Sequence, residues 1–482
     1  MEDGASRVIA SRRGGVGEGL SGRVAEAAHG IKFEDMPADV VEMAKILMLD
    51  ALGIAFASRA ELFAEQALAG VGRISGDGGA TVVGSARTVD PGSAALLNGL
   101  LIHGLDFDDT HLSGVLHTSA GVLPAALAAG ELEGRSGREV LRAFVLGTEV
   151  AARVGMAAAG RFHKQGFHPT GVAGAFGAAV AAGLLFGLDA RELATAQGIV
   201  GSMASGILEF LEEGTWTKRV HPGWSAKAGL TAASLAGAGF TGPSAVYEGR
   251  YGLYASHLGT RDLPLQAVAE GLGERWEVLN VAVKPYPACH FVHAFIDAAL
   301  ELLQGEGFAA EDVDRITCKI AAEEVEAVCE PVENKRRPKS TYDAQFSVPY
   351  VVASAIVRRR RLGIKDFDEE SIGDEAVLDL AGRVDYEVDP EAGFPDHFSG
   401  EVVIALRDGR TISWREQVNR GAPDRPLGRD EIREKFDLNA SVKLSKEQAA
   451  LVAGRIEGLD ESGSIEGVTR ALRVETGSAR LM

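Results

Sequence analysis

Apolar residues recur every three or four positions through most of the first half of the chain, the repeat of helices that turn one face to a core. Residues 37–57 show it most fully, with Val40, Val41, Ala44, Leu47, Met48, Ala51, Leu52 and Ala55 on one stripe behind Pro37. Residues 59–75 make a weaker helix and residues 80–83 a short extended piece. Residues 91–105, 190–208 and 224–239 continue the series, and residues 122–156 read as two helices broken at Gly134-Arg135-Ser136-Gly137. The longest uncharged run, Pro169 to Leu188, is dominated by Gly and Ala and lacks the flanks of a membrane span, so a tightly packed buried helix is expected. No repeat of solenoid length is visible.

Near residue 275 the period changes to two. Residues 315–320, 384–388 and 402–406 read as strands, and Asp408-Gly409 before residues 410–414 signals a hairpin with a type I′ turn. Residues 288–303 and 342–358 are helices among them, and helical pattern returns over 429–436 and from the N-cap candidate Ser445 to 456. The expected fold is mainly α, a large α-helical bundle with an inserted smaller α+β lid domain. Its expected boundaries are a disordered tail over 1–18, the helical domain over 19–275, the lid over 276–422 and returning helices over 423–482. A seam between two such units is a natural place for a pocket.

With 482 residues, 46% hydrophobic and 24% charged, the chain can bury more than one core. Its net charge of −19 disfavours nucleic acid and anionic membrane as partners but leaves room for a small anion held by a local group of cations. Cys289, Cys318 and Cys329 have no CxxC spacing, which argues for a reducing compartment. Ser11-Arg12-Arg13 is followed by no apolar segment, so a twin-arginine signal is not expected and the cytoplasm is. No dinucleotide fingerprint, phosphate loop or iron–sulfur spacing is present, and no cofactor is expected.

The chemistry concentrates in residues 98–117, where an apolar helix delivers His103, Asp106, Asp108, Asp109, Thr110, His111 and His117. Singly these are ordinary cap and loop residues; together they need neutralising partners, since unpaired buried charge is costly. A second group, Gly166-Phe167-His168-Pro169-Thr170-Gly171, opens the Ala/Gly helix and suits a carboxylate, although a turn capped by Thr170 explains it equally well. A third, Lys218-Arg219-Val220-His221-Pro222-Gly223-Trp224, is a basic stretch in an acidic chain, and a fourth fixes Lys284 beside Pro285 and Pro287.

The run Asp106-Phe107-Asp108-Asp109-Thr110 with its following histidine, together with His168, Lys218 and Lys284, resembles the MmgE/PrpD family. That family includes 2-methylcitrate dehydratases, cis-aconitate decarboxylases and iminodisuccinate epimerases. The resemblance implies a homodimeric, cofactor-independent lyase, a dehydratase acting on a hydroxy di- or tricarboxylate through a stabilised carbanion, with the decarboxylase and epimerase as alternatives. Lys218, Lys284 and His168 match the family's pattern. Proton transfer near neutral pH points first to His117 and second to His103, with Asp106 placed to orient His117 and Thr110 to hydrogen-bond substrate. The catalytic candidates are thus His117, Asp106, Thr110 and Lys218, and the substrate-binding ones His103, His168, Lys284, His221 and Arg219. His290 and His293 are left undecided. The rival from another class is a metal-dependent hydrolase using His103, Asp106, Asp108, Asp109, His111 and His117; no HExxH supports it, and no resident metal is expected.

Overall fold

The computed structural model describes residues 19–474; the tail expected over 1–18 lies outside them. The helical half is built on α1 (Ala38–Ser58), α2 (Pro91–His103), α3 (Thr118–Leu132), α4 (Gly137–Ala157), α5 (Pro169–Phe186) and α6 (Val220–Gly237). At the centre lies α5, packed on α3, α4 and α6 with nearly every side chain buried. It is long and apolar enough to cross a membrane but is enclosed by the other helices. Small residues allow this density: a Cβ on Gly99 of α2 would lie 2.6 Å from the Gly223 Cα of α6.

Several helix limits differ from the sequence pattern for local reasons. The helix expected over 190–208 stops at Val200, where turns begin. Pro222 and Gly223 do not sit in a loop, since α6 starts at Val220 and holds both in its first turn, where a proline forfeits no hydrogen bond. Residues 342–358 form two helices, Thr341–Gln345 and Val348–Arg358, because Ser347 Oγ caps the second through Tyr350 N.

The second half contains α7 (His293–Glu306) and α8 (Val348–Arg358) against a four-stranded sheet of β1 (Val313–Ile320), β2 (Val384–Val388), β3 (Gly400–Leu406) and β4 (Thr411–Glu416). Its order is β2-β1-β3-β4, with β1 and β2 parallel and the other pairs antiparallel. The hairpin at Asp408-Gly409 forms, but only Gly409 takes a positive φ, 92°. Asp408 instead uses its carboxylate to accept from Arg410 N at 2.9 Å, so the turn is not type I′.

These elements enclose two apolar cores, one among the helices and one between the sheet, α7 and α8. Chain from beyond the sheet joins the first core: α9 (Arg429–Ala440) buries Ile432, Phe436 and Ala440 against α1. The two-residue strands Thr110–His111 and Val281–Ala282 pair antiparallel and bring two of the charged segments side by side. All three cysteines are free and buried.

Candidate active site

The segment after α2 cannot continue as helix, because Asp106 takes a left-handed φ of 51°. That conformation costs a non-glycine residue roughly 1 kcal/mol or more and persists only where the surroundings impose it. Here they do. Asp106 Oδ1 accepts from Lys218 Nζ at 2.6 Å, and Lys284 Nζ lies 3.3 Å from Oδ2 while donating to the Asp106 carbonyl at 2.7 Å. Burial alone would raise the Asp106 carboxyl, but Lys218, Lys284, His117 and His103 outweigh it and hold it well below the usual carboxylate range. Lys218 also sits 4.6 Å over the Phe346 ring, so an aromatic of the second half covers a cation of the first.

The three neighbouring polar residues, Asp108, Asp109 and His111, do different work. Asp108 lies 2.9 Å from His103 Nδ1 and 3.5 Å from His117 Nδ1, and burial raises its carboxyl. Asp109 is the cap of α3: its Oδ1 accepts from Thr118 N at 3.0 Å, Thr118 Oγ1 at 2.8 Å and Ser119 N at 3.2 Å. His111 turns away, accepting from Gly114 N on Nδ1 and facing Glu277 with Nε2.

His117 and His168 occupy the N-cap positions of α3 and α5, so two helix N-termini meet here, a favourable place for an anion. Thr170 is not the cap of α5; it lies inside the first turn and its Oγ1 accepts from His117 N at 3.0 Å. The His117 Nδ1 donates to the Asp109 carbonyl at 2.8 Å, which leaves Nε2 unprotonated. Asp106 therefore does not orient His117, from whose Nε2 it stands 3.9 Å away, because its carboxylate is committed to two lysines. Burial lowers His117 to about 3, with His103, Lys284 and Lys218 acting in the same sense against Asp108.

These groups open onto one cavity lined by Asp106, Thr110, His117, His168, Lys218 and Lys284, with Phe210, Phe291, Phe346 and Phe398 as its apolar walls. Its interior is about 60 Å³, space for about four waters and so for a small acid. Thr110 Oγ1 is buried there without a partner. Of the other residues the sequence pointed to, His103 lies behind His117, with ring centroids 4.5 Å apart, and its Nε2 is buried without a partner. His221 lies behind His168, their Nδ1 atoms 3.1 Å apart. Arg219 is not brought to the cavity: its Nε donates to the Gly104 carbonyl at 2.7 Å and its guanidinium covers Phe63.

Three lining residues had little or no signal in the sequence. His163 comes from the short helix Arg161–Lys164, and burial lowers it to about 4. His290 is held by Asn419, whose Oδ1 accepts from Phe398 N and whose Nδ2 therefore donates to His290 Nε2 at 2.7 Å. This places the His290 proton on Nδ1, a buried donor with no protein partner. Cys289 also lines the cavity, but burial raises its thiol to about 11, which leaves it a poor nucleophile.

Among the described residues two groups could hold a metal by proximity, His103 with His117 and His168, and His103 with Asp106 and Asp108. Both stand beside the Lys218 and Lys284 ammonium groups, which oppose a second cation. Asp109 and His111, part of the hydrolase set, are engaged elsewhere. What the geometry offers is fixed cations, neutral imidazoles and a hydroxyl around a space fit for a polyanion.

Comparison with known proteins finds two family matches along the chain. Residues 22–266 match the MmgE/PrpD N-terminal domain and residues 286–456 the MmgE/PrpD C-terminal domain. The chain is 30% identical to a cis-aconitate decarboxylase-like protein of Aspergillus oryzae, over 90% of this chain and 93% of that one. It is 28% identical to the cis-aconitate decarboxylase of Aspergillus terreus, over 94% and 96% of the two chains. With the cis-aconitate decarboxylase of Homo sapiens it shares 30% identity over 93% of each. By both domain matches and the full-length relatives, this chain belongs to the MmgE/PrpD family.

Proposed function

We propose that the protein is a cofactor-independent lyase acting on a small tricarboxylate, with decarboxylation of a cis-aconitate-type acid as its reaction. This reading is carried by the pairing of Lys218 and Lys284 around Asp106 at the floor of a cavity otherwise lined by neutral imidazoles, the Thr110 hydroxyl and the Cys289 thiol. One carboxylate does not exhaust two ammonium groups, so the floor keeps positive charge for an anion. The names of the full-length relatives favour loss of carbon dioxide over loss of water.

In this reading Lys218 and Lys284 hold carboxylates of the substrate, with Thr110 Oγ1 and His290 Nδ1 donating from the sides. When the carbon–carbon bond to the departing carboxylate breaks, its electron pair delocalises toward a neighbouring carboxylate. The fixed ammonium groups stabilise that charge with little reorganisation. A proton must then reach carbon, and His117 is the group whose free nitrogen faces the space. It rests unprotonated, so it takes up that proton as the anion arrives, since nearby negative charge favours imidazolium. The smaller half acts as a lid, its Phe291, Phe346 and Phe398 keeping water from the charged floor.

A second reading has a specific basis. The His117 Nε2 carries no proton, and the arriving anion raises its affinity for one, which allows proton abstraction in the dehydration of a hydroxytricarboxylate such as 2-methylcitrate. Incubating the purified protein with each acid and measuring carbon dioxide separates the two. Release in step with cis-aconitate consumption supports the decarboxylase; alkene formation from 2-methylcitrate without carbon dioxide supports the dehydratase.

A further inference from the structure

The floor of the cavity is held from below by a residue of α9 that touches none of the cavity itself. Lys435 is buried, and its ammonium donates to the main-chain carbonyls of Phe107 and of Lys284, each at 2.9 Å. It pairs with Asp50 of α1 at 2.7 Å and lies 3.8 Å over the Phe107 ring. One cation thus joins three segments distant in sequence: the strained turn that begins at Asp106, the Pro-rich segment of Lys284, and α1 in the helical core.

We propose that Lys435 is a positioning residue for the reaction, clamping the backbone behind Asp106 and Lys284 so that both side chains keep the geometry the chemistry needs. Both held carbonyls bear on the active-site groups: one follows the left-handed Asp106 directly, and the other belongs to Lys284. The turn cannot rely on helix or sheet bonds there, because α2 has ended at His103 and pairing starts only at Thr110. A charged donor is stronger than a neutral one at such a carbonyl. Burial lowers the ammonium below its ordinary value, and Asp50, paired with it, opposes that fall. The surrounding groups are Asp50 on α1, Asp108 on the turn and Lys284 opposite, and among the described residues only Asp50 forms an ion pair with Lys435.

This inference rests on the cavity being the reaction site, so its test carries one readout independent of substrate. Lys435→Met alone strands the Asp50 charge and is prone to misfold; the double variant Asp50→Asn/Lys435→Met removes both charges at similar volume. The wild type and the double variant are compared by steady-state kinetics and by amide hydrogen exchange over 104–112 and 281–286. Displacements of about 1 Å cost on the order of 100-fold in rate. The double variant should therefore melt cooperatively, lose about 10- to 100-fold in kcat with a smaller change in KM, and exchange faster in those two segments while α5 stays protected. A folded double variant with wild-type kcat and unchanged exchange overturns the proposal. So does a rate loss that merely follows the folded fraction. If the wild type turns over none of the acids tried, the functional reading fails, and exchange in the two segments alone decides the clamp.

Discussion

His117 donates its Nδ1 proton to the Asp109 carbonyl 2.8 Å away, while the Asp109 carboxylate caps the helix that begins at the next residue. One acid therefore fixes both the tautomer of the histidine and the start of α3, and the histidine side chain carries none of the capping. Replacing it should separate activity from stability. His117→Ala should lower kcat by about 100- to 10,000-fold while the melting temperature stays near that of the wild type. Steady-state rates and thermal melts check this; a kcat within a few-fold of wild type would assign the proton to another group.

Asp106 is the counter-charge of two lysines and the strained residue of the turn, so its removal should be felt in both respects. Asp106→Asn leaves Lys218 and Lys284 without their buried counter-charge, although Lys284 keeps its bond to the residue-106 carbonyl, and breaking such a pair costs about 3–5 kcal/mol. The expected outcome is a lower denaturation midpoint and a large fall in kcat, read by urea unfolding and steady-state kinetics. Full stability in the variant would show that the lysines find other partners.

The imidazoles at and behind the cavity come from several of the segments around it: His103, His117, His163, His168, His221 and His290, with Lys218, Lys284, Asp106 and Asp108 among them. Burial lowers His117 to about 3 and both His163 and His221 to about 4, so these imidazoles stand neutral at pH 7. A polyanion raises these values, and the complex then binds more protons than the free protein. Linkage fixes the sign: affinity should weaken as pH rises. Calorimetry of a saturated tricarboxylate at pH 7 in two buffers of different ionisation enthalpy should show proton uptake. Release, or no exchange at all, contradicts the charge assignment.

The cluster in residues 98–117 was legible because an apolar helix delivers charge at its end, and chain proximity places His103, Asp106, Asp108 and His117 together while His111 turns to Glu277. Lys218 and Lys284 were legible through resemblance, since nothing local distinguishes a lysine on Asp106 from one in water. Arg219 shows the limit. In a 3-10 turn adjacent side chains diverge, and one step along the chain moves the cation from the cavity to Gly104 and Phe63. The Asn419 contact that sets the His290 tautomer and the Lys435 clamp depend on contacts more than a hundred residues apart. Lys435 sits in a helix that reads as highly charged, and only packing on α1 shows that this lysine points inward.

The same ammonium groups bear on metal dependence. The triad His103, His117 and His168 has metal-ligand proximity, but Lys218 and Lys284 flank it, so the reaction should not need a cation. Turnover after exhaustive dialysis against a strong chelator should equal that before it. Activity that disappears with dialysis and returns with a divalent metal would revive the hydrolase-type reading.

The central claim is that this cavity breaks a bond to carbon in a tricarboxylate using only its own side chains. The most direct measurement is proton NMR of the dialysed protein in deuterium oxide with cis-aconitate, citrate, 2-methylcitrate and iminodisuccinate, run beside His117→Ala. In the wild type cis-aconitate should lose its vinyl signal and yield a new alkene with one deuterium placed on carbon, and the variant should be slowed at least about 100-fold. Deuterium exchange at a carbon without net loss of carbon dioxide or water, or an equal rate in the variant, would contradict that claim.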